Sequence, residues 1–154
     1  MGVLDAMDPR LRFTPLFTIA LTDETTPDEI IAAKAAGAIA AKVYPIGVTT
    51  NSAWGISDFT SPSFLAACDT LQKLEMVLCL HGEVAHAFCL DREKEFLYTL
   101  CYLAGRFPKL RIVFEHVSSA AAVECVKNLP SNVAATVTVH HLLLTLDDVV
   151  GDKL

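Results

Sequence analysis

The sequence predicts an α/β fold in which buried parallel strands alternate with helices. Its 154 residues are 53% hydrophobic and only 19% charged, a balance that suits strands covered on both faces. Strand-like apolar runs recur along the chain, and segments with helical periodicity and capping signals lie between them. The resulting β(αβ)₄ pattern fits either an open doubly wound sheet or part of a (β/α)₈ barrel.

Five strands are expected to be parallel and adjacent in chain order. They are Phe17–Leu21, Ala38–Tyr44, Val77–His81, Ile112–His116 and Val133–Val139. Pro15 has no N–H to donate to a sheet ladder, so the first strand begins after it. The segment that follows the fifth strand, from Leu142 to Leu154, has no clear pattern and is expected to form a turn or a short helix.

Four helices are expected between these strands, and their first residues carry capping signals. The signals are Thr26–Pro27, Ser61–Pro62, Asp91 with the acidic turn after it, and Ser118–Ser119. We expect Ile30, Ile31 and Ala33 to form the buried stripe of the first helix, which Gly37 ends. Most of the five cysteines are expected in the core, where free cysteine behaves as a small hydrophobic residue.

The position of the polar residues favours the barrel over the open sheet. A dinucleotide-binding sheet would have a glycine-rich turn after its first strand, and Leu21–Glu24 contains no glycine. Ligand-type side chains instead lie at the ends of later strands, namely Lys42, His81 and His116. Barrel enzymes place their chemistry at strand C-termini. We therefore expect residues 1–154 to form a single, incomplete barrel domain of about five strands.

Composition excludes several kinds of partner. The net charge of −6 and the absence of a basic run argue against nucleic acid. No apolar run approaches the roughly 18 residues of a membrane span, and Met1–Asp8 lacks the basic and apolar regions of a signal peptide. The five cysteines contain no Cys-x-x-Cys pair, which favours a reducing, cytoplasmic location without structural disulfides.

Lys42 interrupts an otherwise apolar strand and is the central residue of the candidate site. A buried ammonium is costly unless it is paired, neutralised or chemically changed; the simpler alternative is that the side chain extends to the end of the strand. Neighbouring strands lie about 4.8 Å apart, so Lys42, His81 and His116 can reach one point. Two histidines and an oxygen ligand suit zinc. Carboxylation of the lysine amine by carbon dioxide would supply that oxygen.

The loop from Pro45 to Thr60 is long for a connection between a strand and a helix, where about 2–6 residues are usual. It is rich in threonine, asparagine, serine and glycine, which is typical of a functional lid. Trp54 is expected either to pack the lid down or to close its base.

Four sequence motifs together resemble those of the dihydroorotase family. They are Ala40-Ala41-Lys42-Val43-Tyr44-Pro45, Thr49-Thr50-Asn51-Ser52, Leu80-His81-Gly82-Glu83-Val84-x-His86 and Val113-Phe114-Glu115-His116. The resemblance is closest to the bacterial-type, single-function branch of this amidohydrolase family. It extends from about Arg12 to His141 and corresponds to strands three to seven of the family's eight-stranded barrel.

This resemblance implies a metal-dependent hydrolase of the (β/α)₈ type. The implied reaction is the reversible cyclisation of N-carbamoyl-L-aspartate to dihydroorotate in de novo pyrimidine biosynthesis. The implied roles are a carboxylated, catalytic Lys42 bridging two zinc ions, one of which is bound by His81 and His116, and substrate binding by Thr49 and Thr50. Tyr44 is implied to lie beside the carbamate. Glu83 and Glu115 either orient the histidines or form outward salt bridges.

The chain also departs from the family pattern. The His-x-His pair and substrate-binding arginine of the family's first strand, the asparagine of its second strand and the aspartate of its eighth strand are absent. Val139-His140-His141 replaces an expected Pro-Gln-His, which leaves His140 unexplained, and His86 and His141 are expected to be structural. At most one zinc site is therefore expected to be largely retained.

Three hypotheses follow for function. The chain is part of a dihydroorotase, inactive in isolation; or a non-catalytic, truncated relative that acts as a scaffold or partner; or part of another cyclic-amide or lactone hydrolase of the same superfamily. The expected ligand is a small-molecule substrate, with no nucleic acid or membrane partner and with a homodimer as the possible assembly.

Overall fold

The computed structural model describes residues 14–150, which form five strands and six helices. The strands are β1 (Phe17–Ala20), β2 (Ala38–Val43), β3 (Val77–Leu80), β4 (Arg111–Phe114) and β5 (Val133–Ala135). The helices are α1 (Pro27–Ala35), α2 (Pro62–Lys73), α3 (Arg92–Arg106), α4 (Ala120–Asn128), α5 (Val139–Leu143) and α6 (Leu146–Val150). Met1–Asp8 and the last residues of the segment that begins at Leu142 lie outside the described residues.

The five strands form one parallel sheet in the order β1-β2-β3-β4-β5, as the sequence predicts. Lys42 pairs in register with Cys79, Cys79 with Val113, and Val113 with Ala134. Because successive strand residues point to opposite faces, this row lies on one face of the sheet and its neighbours in sequence lie on the other. The register thus determines how far along the strand direction the polar side chains of neighbouring strands lie from one another.

The helices begin where the capping signals predict. Thr26 forms a full capping box with Glu29, since its side chain accepts from the Glu29 N–H while the Glu29 carboxylate accepts from Thr26. Ser61 and Ser119 accept from backbone N–H groups in the same way at the starts of α2 and α4. Gly37 ends α1 with a φ of 99°, a conformation that glycine adopts without the steric cost of a Cβ.

The hydrophobic core lies between the sheet and the helices. Leu80 and Phe114 are fully buried or nearly so on the helix-facing side of the sheet. Phe114 lies parallel to Phe96 of α3, with a ring centroid separation of 6.1 Å. The opposite face, which carries Lys42, holds the candidate site.

Three expectations about individual elements are wrong. β5 ends at Ala135 rather than Val139, because α5 begins at Val139 and places His140 and His141 on a helix. In α1, Ile31 is 50% exposed and does not join the buried stripe. Cys89 and Cys101 are exposed rather than in the core: Cys89 lies in the loop before α3, and Cys101 lies outside the buried stripe of α3.

No helix among residues 14–150 is long and apolar enough to cross a membrane.

Candidate functional site

Lys42 forms an ion pair with Glu115 on the face of the sheet opposite the core. Their side chains are 16% and 28% exposed, so water screens the pair only in part. The Lys42 ammonium also lies 4.7 Å from the centroid of the Tyr44 ring, in cation–π geometry. Lys42 is therefore paired within the site and does not extend into solvent, and Glu115 contacts the lysine rather than either histidine.

His81 and His116 lie against each other at the ends of β3 and β4. His81 Nδ1 and His116 Nε2 are 3.2 Å apart, within hydrogen-bond distance. Burial lowers the pKa of His116, and the nearby His81 and Lys42 charges lower it further. A neutral imidazole is the form that binds metal ions, so the electrostatics of the site favour the ligand-competent state of His116.

Glu115 and His116 are consecutive residues after β4, yet both side chains point to the same site. The backbone conformation of His116 explains this. Alternation along the strand would send His116 to the face opposite Glu115. Instead His116 has a φ of 47°, in the left-handed region that is uncommon for residues other than glycine. Its N–H donates to Thr136 Oγ1 at 2.8 Å. Thr136 is the residue that directly follows β5. Its hydroxyl thereby stabilises the turn that brings His116 to His81.

Glu83 lies on the other side of His81. Its Oε1 atom is 3.6 Å from His81 Nε2, and its Oε2 atom is 3.9 Å from the Arg92 guanidinium. The contact with His81 lowers the pKa of Glu83, and the nearby His81 and Arg92 charges lower it further. The 3.6 Å contact is long, however, and His81 Nε2 is buried without a partner at hydrogen-bond distance among the described residues. The nearest ionisable group to that nitrogen is the Glu83 carboxylate.

A cavity of about 310 Å³ opens beside the histidine pair. Its lining includes His81, His116, Glu83, Glu115, His140 and His141. The last two side chains come from α5, where Thr138 Oγ1 lies 3.1 Å from His140 Nε2 and 3.0 Å from His141 Nδ1. His140 and His141 thus border the site without extending a strand, while His86 is exposed and lies outside the cavity lining.

The long loop after β2 is closed at its base and exposed at its tip. Ile56 N donates to Tyr44 O at 2.8 Å, and Ile46 N donates to Ile56 O at 3.0 Å. Trp54 packs edge-on against Tyr44 with centroids 5.7 Å apart, which favours the expectation that it closes the base. Thr49 and Thr50 are both exposed, and neither belongs to the lining of the histidine cavity.

Sequence reasoning missed two residues that shape this site, Thr136 and Gly82. A Cβ added to Gly82 would lie 1.7 Å from Cε2 of Phe114, so only glycine lets the chain pass this buried ring directly after His81. A glycine that directly follows a strand-end histidine is a signal that could have been used. Nothing in the sequence marks Thr136.

These features define a class of protein. The chain forms a five-stranded parallel α/β sheet in sequential order, the arrangement found in part of a (β/α)₈ barrel, with ionisable side chains gathered at the C-terminal ends of its strands. Among residues 14–150, no three His, Cys, Asp or Glu side chains are arranged to hold a metal ion.

Comparison with known proteins shows that the chain is similar to dihydroorotases. A dihydroorotase from Aromatoleum aromaticum is 49% identical over 146 residues, which cover 92% of this chain and 42% of that protein. A dihydroorotase from Vibrio parahaemolyticus is 48% identical over 136 residues, covering 86% and 39% respectively. No protein-family model matches the chain.

Two crystal structures have the same fold over the same part of the chain. Dihydroorotase from Campylobacter jejuni matches with a TM-score of 0.84 and 37% identity, over 92% of this chain and 41% of that one. Dihydroorotase from Saccharomyces cerevisiae, in complex with 5-fluoroorotic acid, matches with a TM-score of 0.77 and 38% identity, over 89% and 42%. The chain is similar to these dihydroorotases over nearly all of its own length and spans about two fifths of the length of the curated relatives it matches.

Proposed function

We propose that this chain supplies one part of a dihydroorotase active site, the part that binds a single divalent metal ion. The reaction proposed for the whole protein is the reversible cyclisation of N-carbamoyl-L-aspartate to dihydroorotate in pyrimidine biosynthesis, in the cytoplasm. The observation that carries the proposal is the contact of His81 Nδ1 with His116 Nε2 at 3.2 Å, beside Lys42 on the neighbouring strand. Support also comes from relatives named dihydroorotase that are 49% and 48% identical.

The two histidines fit a zinc ion. Two nitrogens bound to one tetrahedral zinc at about 2.0–2.1 Å lie about 3.3 Å apart, and the observed separation is 3.2 Å. The lowered pKa of His116 keeps its imidazole neutral near pH 7. When bound, the metal would polarise a substrate carbonyl and activate water.

Lys42 is the proposed third ligand, after carboxylation of its amine. Carbon dioxide adds to the neutral amine, with loss of one proton, and the carbamate oxygens formed can bind metal. In the ion pair with Glu115 the lysine is an ammonium ion, which does not react with carbon dioxide. Carboxylation therefore requires this pair to open, and metal binding to the carbamate would stabilise the opened state.

The remaining residues of the site have supporting roles in this proposal. Tyr44 lies 4.7 Å from the Lys42 ammonium and would border the carbamate. Glu83 would orient the His81 ring, which it approaches through Nε2. Substrate contacts by Thr49 and Thr50 would require the loop tip to move towards the cavity, since both residues are exposed.

Zinc binding tests the proposal directly. We expect the purified chain to bind one zinc weakly, and His81→Ala to abolish stoichiometric zinc in elemental analysis and in titration calorimetry. His86→Ala is the matched control, because His86 is an exposed histidine outside the cavity lining. Equal loss of zinc in both variants, or none in either, would show that the metal binds elsewhere.

The carbamate has its own test. Isotope-labelled bicarbonate should give a carbamate signal in the NMR spectrum of the zinc-loaded chain, and Lys42→Arg should remove it. Retention of the signal in Lys42→Arg would place carboxylation on another amine.

A second candidate function is that of a non-catalytic partner for a more complete barrel. It is favoured by the absence, among residues 14–150, of three His, Cys, Asp or Glu side chains placed to bind a metal. We expect the isolated chain to show no hydrolysis of dihydroorotate or of simple lactones. Mixing with a chain that carries the remaining strands of a relative distinguishes the two functions. An active complex favours the enzyme, and a stable but inactive complex favours the partner.

A further inference from the structure

We propose that Cys101 and Cys125 form a thiol modification site that a low-molecular-weight disulfide converts to an intramolecular disulfide. The two sulfurs lie 3.7 Å apart, on the adjacent helices α3 and α4. They lie in the helix layer, away from the strand-end cavity, and the proposal is independent of the function proposed above.

The placement of the two thiols is held by the fold. Near the start of α3, the Glu93 carboxylate accepts from Ser119 N at 2.8 Å and also from the Ser119 hydroxyl. Cys101 lies eight residues beyond Glu93, about 12 Å along its helix, and Cys125 lies six residues beyond Ser119, about 9 Å along its own. The helices are thus fixed side by side at one end, and the thiols meet a short distance further along.

The sulfur–sulfur separation leaves only a short distance to close. A disulfide is about 2.05 Å long, so the sulfurs must approach by less than about 2 Å. Cys68, in contrast, is buried with its pKa raised to about 12, which keeps it a thiol and unreactive.

The environments of the two thiols suggest an order of reaction. Cys101 is exposed, whereas Cys125 is half-buried. Burial and, to a smaller extent, the hydrogen bond to Cys101 together raise the pKa of Cys125 to about 11. Cys101 therefore attacks first and Cys125 resolves.

The chemistry balances with oxidised glutathione as the oxidant. The Cys101 thiolate attacks one sulfur of oxidised glutathione, which forms a mixed disulfide and releases one glutathione thiolate. Cys125 loses its proton, attacks Cys101 Sγ and displaces the second glutathione thiolate. The two cysteine protons end on two reduced glutathione molecules. The protein loses two hydrogens and gains one S–S bond, while one glutathione disulfide is reduced.

The test uses the full chain, reduced and then incubated with oxidised glutathione under native conditions. We expect alkylatable thiols to fall from five to three, the intact mass to fall by two hydrogens, and the tryptic peptides 95–106 and 112–127 to appear as one linked species. Cys89→Ser, which removes an exposed cysteine, should leave this link intact. Cys125→Ser should trap one glutathione on Cys101.

Three results would overturn the proposal. They are glutathione on both Cys101 and Cys125 without a link, links that involve Cys89 instead, and the same link formed equally well in denaturant. The last result would mean that the fold does not bring the thiols together. Serine replaces an exposed or half-buried thiol with little change in size, so loss of folding does not complicate these variants.

Discussion

Gly82→Ala is the substitution that most directly tests how the core supports the site. A Cβ at position 82 would lie 1.7 Å from Phe114 Cε2, 2.3 Å from Cζ and 2.9 Å from Cδ2. Gly82 does not have a positive φ, so alanine can adopt its backbone conformation. The substitution therefore introduces a steric clash with one buried ring and little else.

The size of the effect follows from how little Phe114 can move. The ring is 1% exposed and stacks on Phe96, so a shift of nearly 2 Å forces a second aromatic ring to move as well. Overpacking of this kind costs about 1–3 kcal/mol. For a chain of this size, each kcal/mol lowers the melting temperature by about 2–4 °C. We expect Gly82→Ala to lower the free energy of unfolding and the melting temperature by these amounts.

Gly105→Ala is the matched control for this substitution. Gly105 lies in α3, and a Cβ there would meet no atom within 4 Å. Removing glycine from a helix gains up to about 1 kcal/mol, so the two glycine-to-alanine changes should have opposite signs. Urea denaturation and thermal melts followed by circular dichroism measure both.

Phe114→Leu in the Gly82→Ala background completes the test. If the clash with the ring is the cause, the double variant should lose less stability than the sum of the two single variants, by about 1 kcal/mol or more. Additive losses, or equal stabilities for Gly82→Ala and Gly105→Ala, would refute the steric reasoning.

Three further predictions concern hydrogen bonds made by serine and threonine. Ser119→Ala should destabilise the chain by about 1 kcal/mol in urea denaturation, because the N-cap of α4 is lost; wild-type stability would contradict the capping role. Thr136→Val should cost about 0.5–1.5 kcal/mol by removing the 2.8 Å hydrogen-bond partner of the His116 N–H at an exposed position, whereas Thr136→Ser should retain most of the stability. Thr26→Ala should destabilise more at pH 7 than at pH 3. The hydrogen bonds from Thr26 lower the pKa of Glu29, so their contribution is present above the unfolded pKa of this carboxyl and is lost as pH falls through its folded pKa. An identical loss at both values of pH would show that the ionised carboxylate does not take part.

Most of the fold could be predicted from local sequence patterns. Apolar runs gave the strands, and the Thr26 and Ser61 caps gave the first two helix starts, because both signals depend on residues close together in the chain. The length of β5 could not be predicted in this way. A strand extends only as far as a neighbour pairs with it, and β4 offers pairing for Val133–Ala135 only.

The candidate site could be predicted in its members but not in its contacts. Lys42, His81 and His116 stand out because polar residues at the ends of apolar strands are unusual. The partner of Lys42 was not predictable, because Glu115 lies 73 positions away and reaches it only through the register of three strands. The turn at His116 could not be predicted from the sequence either, because it depends on a hydrogen bond to the side chain of Thr136, which follows a different strand.

The left-handed backbone conformation at His116 restricts which amino-acid types this position can accommodate. Glycine, asparagine, aspartate and histidine adopt that conformation most readily, while β-branched residues are strongly disfavoured. Three of those four tolerated residues carry a nitrogen or oxygen donor. At this one position, the demands of chain geometry and of coordination chemistry select almost the same set of amino acids. Drift through neutral substitutions would therefore tend to keep a donor group at the end of β4 even where selection for binding is weak.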